Sequence, residues 1–143
     1  MRTSIAALAA VCLALAAGAA AAEKPKAPQD ESFLMSPVGL PIVVNGQVVN
    51  YVFVTLRVKL SPKADPNEMR ALEPVLRDAL VRTGGRAPFV RPDNYMTVDR
   101  PRVIRTLVAA ADAAAGKGAV VSAEVVKEQA QRYSGLPKPG ARP

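Results

Sequence analysis

The sequence predicts an α+β fold: a small antiparallel sheet, in the order β-β-α-α-β, with two helices packed on one face. Three observations predict it. Val52, Val54, Leu56, Val58 and Leu60 alternate with Tyr51, Phe53, Thr55, Arg57 and Lys59, the period of a half-buried strand. Two later stretches repeat apolar residues at helical spacing. Valine-rich residues 119–126 then return the chain to a strand.

The elements follow in order. Residues 1–22 read as a secretory signal peptide. Arg2 gives a basic start, residues 5–15 are apolar, and Ala20-Ala21-Ala22 fits the small-residue cleavage pattern before polar Glu23. The alternative is a retained membrane anchor, since the apolar stretch is near the minimum of roughly 17 residues for spanning. The expected location is therefore the periplasm, or the inner membrane if the anchor stays. Residues 23–32, with Pro25, Pro28, Lys24 and Lys26, read as a flexible linker. A single domain is expected over residues 33–132. Residues 133–143, rich in proline and glycine, read as a disordered tail.

Within the domain, residues 40–44 make a first strand. Asn45-Gly46 makes a type I′ hairpin turn, because both residues tolerate positive φ. Residues 48–60 make the second strand. Tyr51 and Phe53 leave its other face apolar at one end, either as ordinary packing or as a partner surface. Asp65 is placed as N-cap, Pro66 at the first helical position and Glu68 at the acid position of a capping box. Met69, Leu72, Leu76, Ala79 and Leu80 form the buried stripe of one helix. Glu73 and Arg77 form an i,i+4 pair on its polar side. Pro74 is expected to kink the helix, and Gly84-Gly85 to end it. Residues 86–98 read as a long loop. Asp99-Arg100-Pro101 opens a second helix, with Val103, Ile104, Leu107, Val108 and Ala111 on its buried stripe and Gly116 as its stop. The polar run 127–132 extends the last strand or forms a helical turn.

Composition narrows the function. The chain has no histidine, no tryptophan and one cysteine, Cys12, which lies inside the leader. The commonest general base, metal ligand and soft nucleophile are thus missing from the expected mature chain. Neither Ser61 with Lys63 nor the carboxylates Asp65, Glu68, Asp93 and Asp99 form a recognisable catalytic set, because turn chemistry and helix capping account for most of them. The expectation is a non-enzyme with no cofactor and no metal. The 19 basic residues, less Arg2, leave 18 against 12 acidic ones, a net charge of +6. That balance favours anionic partners, and export argues against nucleic acid. Arg70, Arg77, Arg102 and Arg105 project from the two helices as a candidate docking face for an anionic lipid surface, ligand or acidic partner.

The strand ending Val54-Thr55-Leu56-Arg57-Val58-Lys59-Leu60-Ser61 leads to a helix reading Leu72-Glu73-Pro74-Val75-Leu76-Arg77-Asp78-Ala79-Leu80. This order, behind an exported or anchored N-terminus, resembles the flagellar basal-body-associated FliL family, with the Pro74, Arg77-Asp78-Ala79 set matching the family's helix pattern. The resemblance spans roughly residues 33–126. It implies a periplasmic, stomatin-like domain that forms homo-oligomers and supports the flagellar motor or stator, with motor or envelope proteins as partners. The chain departs from the family in its cleavable-looking start, in Val81-Arg82-Thr83-Gly84-Gly85 and in the loop before Asp99. The alternative function is a small envelope binding protein that works through its arginine-rich face.

Overall fold

The long alternating strand organises everything else. In the computed structural model, which describes residues 31–139, it runs as β3 (Gln47–Leu60). Three further strands join it: β1 (Ser32–Leu34), β2 (Val38–Val44) and β6 (Val120–Ala130), all antiparallel to β3. β2 pairs with residues 47–54 of β3 and β1 with residues 57–59, whereas β6 pairs with residues 52–60. A strand edge bonds one neighbour at a time, so β1 and β2 lie end to end on one edge and β6 occupies the other. The predicted leader, residues 1–22, and most of the linker lie outside the described residues, as does the end of the tail.

The fold is α+β, with the helices on one face of the antiparallel sheet. Three helices build that layer: α1 (Pro66–Ala71), α2 (Glu73–Arg86) and α3 (Arg100–Ala115). A small hairpin, β4 (Val90–Arg91) with β5 (Asn94–Val98), connects α2 to α3. The alternation holds: Val52, Val54, Leu56, Val58 and Leu60 are buried, and they share one core with Met69, Leu76, Leu80, Val103, Leu107 and Ala111. The Asn45-Gly46 turn also holds, with φ of 51° and 76°.

Local chemistry sets the helix ends. Asp65 Oδ1 accepts from the Asn67 and Glu68 amides at 2.7 and 3.4 Å, and Asp99 Oδ1 accepts from the Arg102 amide at 3.1 Å. Gly116, at φ 95°, stops α3.

Several expectations need correction. The first helix is two helices. The chain breaks at Leu72, and Pro74 falls in the first turn of α2, where its missing N–H would have had no helical partner. Pro74 therefore starts a helix and does not kink one. Gly84-Gly85 does not end α2, which continues to Arg86. Gly84 is buried because the Phe89 ring lies where its side chain would be, 3.3 Å from an ideal Cβ. The Glu73–Arg77 pair is replaced by bonds to the β1–β2 connection: Glu73 Oε1 accepts from the Ser36 amide at 2.7 Å and Arg77 donates to the Pro37 carbonyl at 3.2 Å. Each side chain satisfies a backbone group there, which a mutual surface ion pair would leave to water. The expected loop at 86–98 contains the β4–β5 hairpin, turned by Pro92-Asp93, and its Phe89, Tyr95 and Val98 enter the core. The polar run from Lys127 takes one of its two expected forms and extends β6 as a strand to Ala130.

One polar residue closes the domain. Asn50 lies in the even-numbered register of β3 and is 2% exposed. Its amide nitrogen donates to the carbonyls of Tyr95 and Arg132, both at 3.0 Å. Its oxygen accepts from the amides of Tyr51 at 2.9 Å and Arg132 at 3.0 Å. The segment after β6 is thereby held to the sheet, and Leu136 packs partly buried against the core.

Two predictions test this account. Leu76, fully buried, should cost about 2–5 kcal/mol on truncation to alanine in urea denaturation, whereas Pro74→Ala should stay within about 1 kcal/mol of the parent chain. Asn50→Asp can no longer donate to two buried carbonyls. It should destabilise by roughly 1–3 kcal/mol for each group left unpaired, with hydrogen exchange accelerated first at residues 131–136.

Candidate interaction surfaces

The arginines predicted as a docking face have different fates. Arg102, in the first turn of α3, is half-buried. It donates to the Pro88 carbonyl at 2.9 Å, and its guanidinium carbon lies 5.7 Å from the Phe89 ring centroid. Arg77 is tied to Pro37, as described above. These two hold the fold together. Arg70 on α1 and Arg105 on α3 are exposed, and their side chains make no hydrogen bond or ion pair with the described residues. Arg86, at the end of α2, is likewise exposed and free. The helix layer thus carries unpaired guanidinium groups at both ends. α3 starts where α2 has finished, joined through the Asp99 amide and the Phe89 carbonyl at 2.8 Å, so Arg86 and Arg105 share one end and Arg70 stands at the other.

The other arginines of the described residues, Arg132 excepted, are paired through their side chains. Arg82 bonds Asp78 one turn earlier on α2, and Arg57 meets Glu124 across β3 and β6 at 2.8 Å. Arg91 grips Asp93 with two bonds, at 3.0 and 2.8 Å, across the turn of the β4–β5 hairpin. The hydrogen bonds from Arg91, with one from its own backbone, hold the Asp93 carboxyl below the usual carboxylate range. Glu128 is the most buried acid in these pairs, with its side chain 6% exposed. It accepts from the Val98 amide at 2.5 Å and from Arg100 at 2.7 Å, locking β6 to the β5–α3 junction.

The second surface is the opposite face of the sheet. No helix packs on it among the described residues. Tyr51 and Phe53 on β3 are 42% and 43% exposed, and Leu34 on β1 is 56% exposed. In register beside Phe53 lies Gly39 of β2, against which the ring leans: an ideal Cβ there would be 3.1 Å from it. Leu34 sits opposite Arg57. Lys127, opposite Thr55, and Lys59, opposite Ser122, complete the face. Tyr51 and Phe53 were legible as a candidate surface. Leu34 and Lys127 were not, because their place depends on β1 and on the bulges in β6.

Chemistry at these sites is limited. Among the described residues no group of three or more Asp, Glu, His or Cys side chains could hold a metal ion, and no helix is long and apolar enough to cross a membrane. A cavity of about 230 Å³ opens between α1 and the α3–β6 turn, beside Ser61, Lys63, Asp65 and Lys117. Its Asp65 carboxylate already caps α1, and Ser61 Oγ accepts from the Lys63 amide at 3.2 Å. No family model, curated protein or solved structure matches the chain.

The two classes of arginine make a direct prediction. Arg102→Ala should lower stability by about 1–2 kcal/mol through the lost carbonyl bond and ring contact, whereas Arg105→Ala should fall within about 0.5 kcal/mol of the parent in the same denaturation series.

Proposed function

We propose that this chain is a non-enzymatic interaction protein of the bacterial envelope, with a domain of the FliL type that docks an acidic partner through its helix layer. The observation that carries the reading is the set of free guanidinium groups, Arg70, Arg86 and Arg105, on a layer whose other arginines are consumed internally. A guanidinium stays charged at any physiological pH and binds carboxylates in bidentate fashion, so these groups suit recognition and not proton transfer. The docking face proposed from sequence therefore narrows. Arg70 and Arg105 remain, Arg86 joins them, and Arg77 and Arg102 act as supports.

The leader-like residues 1–22 support a periplasmic or inner-membrane location. The strand-to-helix passage, with Pro74 opening a helix that continues Arg77-Asp78-Ala79, supports the resemblance to the FliL family and with it a role beside the flagellar motor. Motor or envelope proteins, and further copies of the chain, are the partners this reading names.

A deletion strain should form smaller swimming rings in soft agar. The parent gene should restore them, and a chain carrying Arg70→Glu with Arg105→Glu should not, although it melts at the parent temperature. Undiminished swimming of the deletion strain would remove the motor-linked form. Full rescue by the double variant would remove the helix layer as the docking face.

A further inference from the structure

The two edges of the sheet are guarded differently. On one, β1 and β2 are short and Ser36-Pro37 separates them, with Glu73 bonding the Ser36 amide and Arg77 the Pro37 carbonyl. Pro41 interrupts β2 itself. It stands opposite Tyr51, whose carbonyl accepts from the Gln131 amide on the other side of β3. The outward-turned position in β2 therefore falls on a residue with no N–H. Short strands and an edge proline are ordinary guards against a further strand.

The opposite edge has neither guard. β6 is 11 residues long, contains no proline, and pairs with β3 alone among the described residues. The Gln131 amide bonds Tyr51 and the Ser61 amide bonds the Ala119 carbonyl, so odd-numbered residues along 51–61 face β6. The Leu56 carbonyl and the Leu60 amide bond the β1 side instead. In β6 the residues opposite even-numbered positions, such as Ala123, Val125 and Glu128, thus turn their amides and carbonyls to the open edge. Val121 and Val126 on this strand are 59% and 39% exposed. Glu128 lies opposite buried Val54, so its bonds to Val98 and Arg100 run beneath the strand, on the helix-covered face.

The side-chain pattern of β6 complements itself. Run antiparallel to a second β6 about a two-fold axis between Val125 and Val126, edge-turned Ala123 meets edge-turned Glu128 of the second copy, as a hydrogen-bonded pair requires. In the same register Glu124 meets Lys127 of the second copy on the bare face. Glu124 keeps Arg57 at 2.8 Å on its other side, and the Lys127 side chain makes no bond with the described residues. A slip of one residue would set opposite faces of the two sheets against each other and lose both matches. A parallel approach would set Glu124 against Glu124 and Lys127 against Lys127. A strand of unrelated sequence would meet the backbone of the edge but not its charges.

We infer that β6 pairs with β6 of a second copy in this antiparallel register, joining two four-stranded sheets into one continuous sheet. The inference deepens the proposed function, which names further copies of the chain among its partners. It uses none of the helix-layer arginines, so the seam and the docking face can fail separately.

The test follows the full chain by sedimentation and by cross-linking. The parent chain should sediment as a dimer that dissociates on dilution. Ala123→Pro removes an edge-turned amide and no bond to β3, and should leave a monomer at concentrations where the parent is dimeric. Lys127→Glu should weaken the dimer roughly 10-fold by setting like charges opposite one another, and adding Glu124→Lys in the same chain should restore it. Cysteine pairs read the register directly, even if Ala123→Pro melts early. Cys12→Ser first removes the only native thiol. In that background an equal mixture of Glu124→Cys and Lys127→Cys chains should form a disulfide-linked heterodimer on mild oxidation, in preference to either homodimer, because the two positions meet as a close, non-hydrogen-bonded pair. A chain that stays monomeric would overturn the inference. So would a dimer indifferent to both Ala123→Pro and the charge reversal, or cross-linking no better in the mixture than in either chain alone. A dimer broken instead by Arg70→Glu with Arg105→Glu would move the seam to the helix layer and overturn it as well.

Discussion

Two-sided pairing of a single strand is the constraint on which this structure rests. β3 is bonded along both edges, and its even-numbered side chains form the floor on which the three helices pack. Its register therefore decides everything above it. A slip by one residue would turn Val52, Val54, Leu56, Val58 and Leu60 outward and bring Arg57 and Lys59 into the core. Three features oppose such a slip. The Asn45-Gly46 turn fixes the β2 pairing, Glu128 pins β6 to the α3 junction, and Asn50 can satisfy its four bonds only in the observed alignment.

This dependence also explains the division of labour among polar groups. Side chains that bond the backbone, Asn50, Glu73, Arg77, Arg102 and Glu128, lie at seams where two elements meet. Side chains that pair mainly with one another, such as Arg82 with Asp78 or Arg91 with Asp93, lie in the open, where solvent screens them. The first group joins elements, and the second mainly adjusts surface charge. Arg70, Arg86 and Arg105, outside both groups among the described residues, are the ones on the helix layer available to another molecule.

The legibility of the sequence follows the same physics. Strong periodicity over many residues exposed the β3 register and the buried stripes of α2 and α3. Caps with side-chain acceptors, Asp65 and Asp99, exposed two helix starts. The start of α2 was hidden because Leu72 caps it without any side-chain bond, leaving Pro74 as the one sign of a fresh helix. The β4–β5 hairpin was hidden because its strands are too short to show a period and are interrupted by Pro92-Asp93. The supporting roles of Arg77 and Arg102 were hidden for a different reason. Their acceptors are the carbonyls of Pro37 and Pro88, and a carbonyl leaves no mark in residue identity. Of the candidate surfaces, the aromatic pair on β3 was readable from alternation, but the split of the arginines into bound and free was not.

The position of β6 has a consequence for assembly of the chain. The strand that completes the sheet follows every other element in chain order, yet it pairs with the middle of β3. A chain growing from its N-terminus can close the β2–β3 hairpin early, through the local Asn45-Gly46 turn. It then holds a valine-rich strand with one open edge while the helices, the small hairpin and β6 are still to come. Closure waits on contacts distant in sequence, the slow kind in folding, and the Asn50–Arg132 bonds, 82 residues apart, can form only after β6 has docked. Between those two events the open edge is a template for any other extended chain, so the interval is the period in which this protein is most exposed to mispairing.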